Sequence, residues 1–130
     1  MLLNIYNAKH RGYFMNRELK FRVWAIKARQ WITVHSFAIG EYNGIYPFGI
    51  SPETVIIQQF TGLQDKNGAY IYEGDIIQLD EIIGDVFWDD GSFQIRLNKN
   101  QGKNHLIQER AKRFTIIGNI FENPELLKHE

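Results

Sequence analysis

Glu73 and Asp75 flank Gly74 in the segment "YIYEGDII", and their spacing puts both carboxylates on one face of a regular strand. Such a pair can divide acid and base roles in glycoside cleavage when a sugar-binding cleft surrounds it. The flanking sequence indicates no such cleft, and the simpler reading has both carboxylates satisfying backbone donors around Gly74. His10, His35, His105 and His129 are far apart, none at i,i+4 spacing, and His35 in "ITVHSF" reads as a strand histidine. Asp85, Asp89 and Asp90 do not follow the spacing of a calcium loop. With no cysteine in the chain, thiolate catalysis, disulfides and Cys-based zinc sites fall away together. Ser36, Ser51 and Ser92 lie outside any Gly-x-Ser-x-Gly elbow, and no phosphate loop or dinucleotide fingerprint occurs. The expectation is a protein that is not an enzyme, with no metal site and no cofactor.

Binding chemistry is better represented. Lys20, Arg22 and Trp24 fall on one face of a strand, where cations can neutralise phosphates while an indole stacks on a base. Arg96, Lys99, Lys103, Arg110, Lys112 and Arg113 could extend that face into a candidate anion or nucleic-acid surface. A pI near 6.9 is low for a non-specific nucleic-acid binder. The plainer alternative is a solvated strand with Trp24 covering an edge of the core, in which case Lys20→Glu with Arg22→Glu would leave folding intact. Charge is segregated although it sums to zero: residues 73–90 carry seven acids and no base, while 96–113 carry six bases and one acid. Such runs form solvated faces, pair between subunits of an oligomer, or hold an anionic ligand.

The elements that must position these residues are mostly strands. "LKFRVWAI" (Leu19–Ile26) and "WITVHSF" (Trp31–Phe37) alternate, and Lys27–Gln30 links them as a hairpin. Residues 38–50, with three Gly and a Pro, read as a loop. Ser51-Pro52-Glu53 could start one helical turn, with Ser51 as its cap. The run "TVIIQQFTG" follows as a strand and contains Thr61 and Gly62. In "QDKNG", Asp65 can bond its own following backbone while Asn67 and Gly68 tolerate positive φ. "YIYEGDIIQL" then enters a strand, with Tyr72 beside the Glu73-Gly74-Asp75 corner, where Gly74 marks a place with no room for a side chain. Ile82–Trp88, Ser92–Leu97 and Arg113–Phe121 are further strands, the first two joined by the Asp-Gly turn of "DDGS". Residues 98–104 read as a polar basic loop, and Asn123 caps a short helix with Pro124 at its first position.

At 130 residues, 44% apolar and with 18 aromatics, the chain can bury a core without a metal or disulfide. Its longest apolar runs are a few residues, too short for a membrane helix, and the start lacks the pattern of a signal peptide. A cytoplasmic location in a bacterial host is expected.

"MNRELKFRVW" (Met15–Trp24), "QQFTGLQDKNGAYIYEGDII" (Gln58–Ile77) and "IIGNIFENPELL" (Ile116–Leu127, containing Gly118, Asn119, Asn123 and Pro124) together resemble the YopX family of small phage and prophage proteins. The resemblance implies a mainly β (α+β) fold, with an SH3-type barrel at residues 61–130 ending in a short helix. A smaller α+β subdomain with a β-hairpin, residues 15–60, would precede it. The resemblance implies no established activity and supplies no catalytic residues. Family members typically begin near "MNRELKF", so residues 1–14 are an extension. Arg11-Gly12 is compatible with a purine-rich ribosome-binding signal before a natural start at Met15. Leu2, Leu3, Ile5, Tyr6, Tyr13 and Phe14 would otherwise build an extra strand or an oligomer arm.

The expected function is that of a non-catalytic phage or prophage accessory protein, oligomeric with itself, acting on a host or phage protein. Alternatives are a small nucleic-acid-binding barrel and a sequesterer of a nucleotide-type anion in counter-defence.

Overall fold

The computed structural model describes residues 18–40, 44–98 and 102–127. Residues 1–14, expected to be an extension, and Lys99 lie outside the described residues.

Alternation in the first basic stretch yields β1 (Phe21–Ala25), which turns into β2 (Gln30–Ile32) with Ala25 opposite Gln30. β2 ends earlier than its sequence pattern suggests. Thr33–Ser36 form an exposed connector on which His35 sits, so His35 is not a strand residue. The chain then forms a second small hairpin, β3 (Phe37–Ile39) with β4 (Ile45–Pro47), inside the stretch read as a loop. Gly and Pro there shape a hairpin rather than preventing one. Phe37 packs on Phe21 at 5.2 Å, which fixes the hairpin to β1.

Ser51 precedes a single 3-10 turn, Pro52–Thr54, but its hydroxyl donates to Glu53 (2.6 Å) and does not cap. Its carbonyl accepts the Thr54 N–H instead. β5 (Val55–Gln64) is the longest strand and pairs with β1 on one side and β6 (Tyr70–Tyr72) on the other. A subdomain division at residue 61 would fall inside β5. The first sheet therefore has the order β2-β1-β5-β6.

The second sheet, in the order β10-β9-β8-β7-β11, is antiparallel throughout. β7 (Asp75–Leu79), β8 (Ile82–Asp89) and β9 (Ser92–Leu97) form a meander. Asp90 (φ +52°) and Gly91 (φ +77°) make the two-residue turn between β8 and β9, both central residues left-handed as a twisted hairpin requires. The polar stretch after β9 contains an edge strand, β10 (Lys103–His105), and a four-residue helix, α1 (Gln108–Ala111), follows; neither is evident in the sequence pattern. β11 (Thr115–Asn119) completes the sheet, with a register shift between Ile116 and Gly118.

Ile71, Ile77, Val86, Ile95, Leu106, Ala111 and Phe114 form the buried core of this half. The final turn, Pro124–Leu127, is 3-10. Asn123 precedes it and its carbonyl accepts the Leu126 N–H (3.1 Å), while its Oδ1 accepts from Asn119 N (3.2 Å) and Asn119 Oδ1 accepts from the N–H groups of Phe121 and Glu122. Among the described residues, no helix is long and apolar enough to cross a membrane.

Candidate functional site

Arg22 is the centre of the junction between the two sheets, not part of a solvated face. Its Nη1 lies 2.9 Å from Asp75 Oδ1, with side-chain exposures of 20% and 4%. Nε and Nη2 donate to Gln58 Oε1, and Nη2 also donates to the Glu73 carbonyl (3.0 Å). The guanidinium lies 4.4 Å from the Trp31 ring and 4.9 Å from that of Tyr72, so aromatic faces complete its cage. Burial pushes the Asp75 carboxyl above its ordinary 3.8, opposed by Arg22 and by the Tyr72 N–H it accepts at 2.7 Å. Burial likewise lowers the guanidinium from its ordinary value, with Asp75 opposing.

The "YEGD" segment is built around this cluster. Glu73 Oε1 accepts the Gln59 N–H and Asp75 Oδ2 the Tyr72 N–H, so the two carboxylates do serve backbone donors. Gly74 has φ +88°, and a Cβ there would strike the Gln58 carboxamide that receives Arg22. Asp65, only 5% exposed, performs the same service one turn earlier. It accepts from Asn67 N and Ala69 N with one oxygen and from Ile116 N with the other, pinning the turn to β11. Positive φ falls on Gly68, not Asn67. Thr61 donates to the Ile71 carbonyl (2.8 Å), joining β5 to β6, while Gly62 takes φ +87°. A Cβ on Gly118 would meet the Asn123 carboxamide.

The remaining predicted cations are dispersed. Trp24 is 5% exposed and stacks on Phe121 (5.2 Å, 14°). Lys20 lies 4.3 Å from the Tyr70 ring and 3.5 Å from Glu18. Arg96 pairs with Asp85 at 3.3 Å and Lys103 with Asp89 at 3.1 Å. The acidic and basic runs thus meet within one sheet of one chain. Lys112 pairs with Glu109 (3.6 Å), and Arg110 donates to the His105 carbonyl. Arg110, Lys112 and Arg113 share a shallow hollow beside α1 with Ile107 and Glu109, away from Lys20, Arg22 and Trp24.

Sequence reasoning missed a hollow of about 520 Å³, where Glu18, Gln59, Phe60, Thr61 and Gly62 face Trp88, Gly91, Ser92 and Phe93. Its walls come from different sheets: β5 on one side, the β8–β9 hairpin on the other. Trp88, 54% exposed, packs edge-on against Phe93 (4.8 Å, 76°), while Phe60 and Tyr70 form an aromatic pair at 4.8 Å. The signal was present: an Asp90-Gly91 turn fixes Trp88 opposite Phe93, two aromatics displayed on one hairpin. The volume lies in the range of small binding clefts, and Gln59, Thr61, Ser92 and Glu18 give it a few polar groups. Ser92 meets His105 Nδ1 at 3.0 Å, but among the described residues no carboxylate orients that imidazole. The aromatic lining suits holding an apolar or aromatic group.

Strand order and composition define a mainly β protein of curled antiparallel sheets. The family model described as "YopX protein" matches residues 20–128, and the chain belongs to the YopX family. The chain is similar to the crystal structure of protein EF1440 from Enterococcus faecalis, with 26% identity over 86% of this chain and 99% of that one, at a TM-score of 0.63. It also shares its fold with YopX from Bacillus subtilis, at 19% identity over 85% of this chain and 96% of that one, with a TM-score of 0.58. No curated protein matches it.

Proposed function

We propose that the chain is a non-catalytic, phage- or prophage-encoded binding protein that receives a protein partner in the cleft between β5 and the β8–β9 hairpin. The observation that carries this reading is Trp88, which leaves 54% of its surface exposed beside Phe93 in an aromatic-lined hollow. Exposed aromatic anchors in concave sites supply much of the energy in protein recognition. Dispersal of the cations weighs against the nucleic-acid alternative, because phosphate tracking needs a continuous basic path. The β7–β9 meander, with α1 and the end of β5, supports reading the second half as an SH3-type barrel: Gln108 and Gln64 exchange hydrogen bonds there, closing β5 onto α1.

The test is affinity capture from the bacterial host after nuclease treatment, comparing wild type with Trp88→Ala. A protein recovered by wild type and lost with the variant, while both melt alike, is the expected result. Recovery that is nuclease-sensitive and falls steeply with salt would favour the nucleic-acid reading. A discrete nucleotide-sized mass retained in a native mass spectrum would favour the sequestering one.

A further inference from the structure

Gln59 faces two hollows at once. Besides the Trp88 cleft it lines a second, of about 290 Å³, with Phe21, Ile45, Ile57 and Glu73. Phe21 stands opposite Gln59 in the β1–β5 pairing, and Ile57, Gln59 and Thr61 alternate onto one face of β5. The two hollows therefore meet at Gln59 and follow β5, from Ile45 on the β3–β4 hairpin to Trp88 on the β8–β9 hairpin. Ile57 to Thr61 is about 13 Å of strand, the reach of an extended segment of about five residues.

Charge along this path is one-sided. The charged side chains that line it are carboxylates, Glu18 and Glu73. Each nearby cation already has a partner: Lys20 pairs with Glu18 at 3.5 Å and Arg22 with Asp75 at 2.9 Å. Glu73 has no such partner among the described residues, where its carboxylate accepts only the Gln59 N–H, on Oε1 at 3.1 Å. Phe21, Ile45 and Ile57 make the walls beside it apolar. An apolar wall next to an uncompensated carboxylate matches a lysine or arginine side chain, with its stem against the wall and its head at the carboxylate. Between the hollows, the Gln59 carboxamide has both a donor and an acceptor to offer a peptide group. An anion would be repelled by the surplus carboxylate.

We infer that the partner segment taken by the Trp88 cleft is an extended basic peptide. It seats an apolar or aromatic residue against Trp88 and Phe93 and sets a lysine or arginine, roughly three to five positions along, over Glu73. This deepens the reading of the Trp88 cleft and rests on it. Trp88 supplies the anchor, and Glu73 selects among apolar segments by charge.

Selection of displayed random peptides on the whole folded chain tests the two separately. Peptides enriched on wild type should share the apolar residue and the basic one at that spacing, and Trp88→Ala should lose them. Glu73→Gln keeps an oxygen for the Gln59 N–H and should melt as wild type does, yet bind a synthetic copy of an enriched peptide about tenfold more weakly. That difference should shrink as salt is raised. Peptides that need Trp88 but carry no basic residue, or that bind Glu73→Gln as well as wild type, would overturn the inference and leave the cleft standing. A selection in which no peptide depends on Trp88 would overturn both.

Discussion

Arg22 of β1 and Asp75 of β7 meet at 2.9 Å, although 52 residues of chain separate them and they belong to different sheets. The ion pair holds the first sheet against the corner of the second, and Gln58, the Glu73 carbonyl and two aromatic rings fill the guanidinium's other directions. Removing one partner of such a buried pair strands the other in a poorly hydrated place.

Arg22→Ala should therefore destabilise the protein by about 3–5 kcal/mol, and Arg22→Glu should leave it largely unfolded. Lys20→Glu, at a more exposed position, should change stability by no more than about 1 kcal/mol. Urea titrations of the single variants check both statements. The burial of Arg22 removes the condition, a solvated face, under which the sequence expected a double Glu substitution to leave folding intact, although β1 is a strand as expected.

Asp75 also sets a pH dependence. Its folded-state carboxyl holds a proton more tightly than the unfolded one, because burial outweighs the pull of Arg22. The stability this contributes is fully present below the unfolded value, about 3.9, and is lost as pH rises through the raised folded value. Asp75→Asn lacks this titration. The stability of wild type minus that of Asp75→Asn should thus fall as pH rises from about 4 towards neutrality. If the attraction of Arg22 outweighed burial, the difference would climb instead, and denaturant titrations across that range separate the two signs.

Two glycines with similar backbone angles should respond differently to a methyl group. At Gly91 (φ +77°) an added Cβ meets nothing within 4 Å, so Gly91→Ala should cost only the left-handed penalty, about 1–2 kcal/mol. At Gly74 (φ +88°) the Cβ also collides with Gln58, which cannot retreat without releasing Arg22. Gly74→Ala should cost at least about 3 kcal/mol. Equal melting temperatures for the two variants would contradict the close approach.

Asp65→Ala should remove the acceptor for three backbone N–H groups, those of Asn67, Ala69 and Ile116. A loss of about 2–4 kcal/mol is expected, and hydrogen exchange should show Ile116 exposed along with the turn. A variant whose turn loosens while Ile116 stays protected would show that Asp65 acts only locally.

Local rules explain what was legible in the sequence. The Asp65–Gly68 turn, the Asp90-Gly91 hairpin and the Gly74 corner each depend on residues a few positions apart, and each stands where the sequence puts it. Alternation located β1 and the β8–β9 pair for the same reason. The fate of Arg22 was hidden because its charge reads as solvent-facing until Asp75 and Gln58 are brought beside it by pairings far along the chain. The β3–β4 hairpin was hidden by its glycines and Pro47, which look like loop residues when no partner strand is in view. The cleft was hidden for a third reason: Phe60 and Trp88 come from different sheets, and only the way β5 sits against the β8–β9 hairpin sets them across a gap.

The union of β1 with Asp75 has a consequence during synthesis. A growing chain can close the β1–β2 hairpin as soon as Ile32 is available, and add β5 some thirty residues later. At that stage the guanidinium of Arg22 has its aromatic neighbour Trp31 and its Gln58 acceptor, but no counter-charge. Until residue 75 leaves the ribosome, the first sheet must keep that cation wet and its inner face apart. The amino-terminal half is thus the earlier part to be made and the later part to be committed, waiting on the corner of the half that follows it.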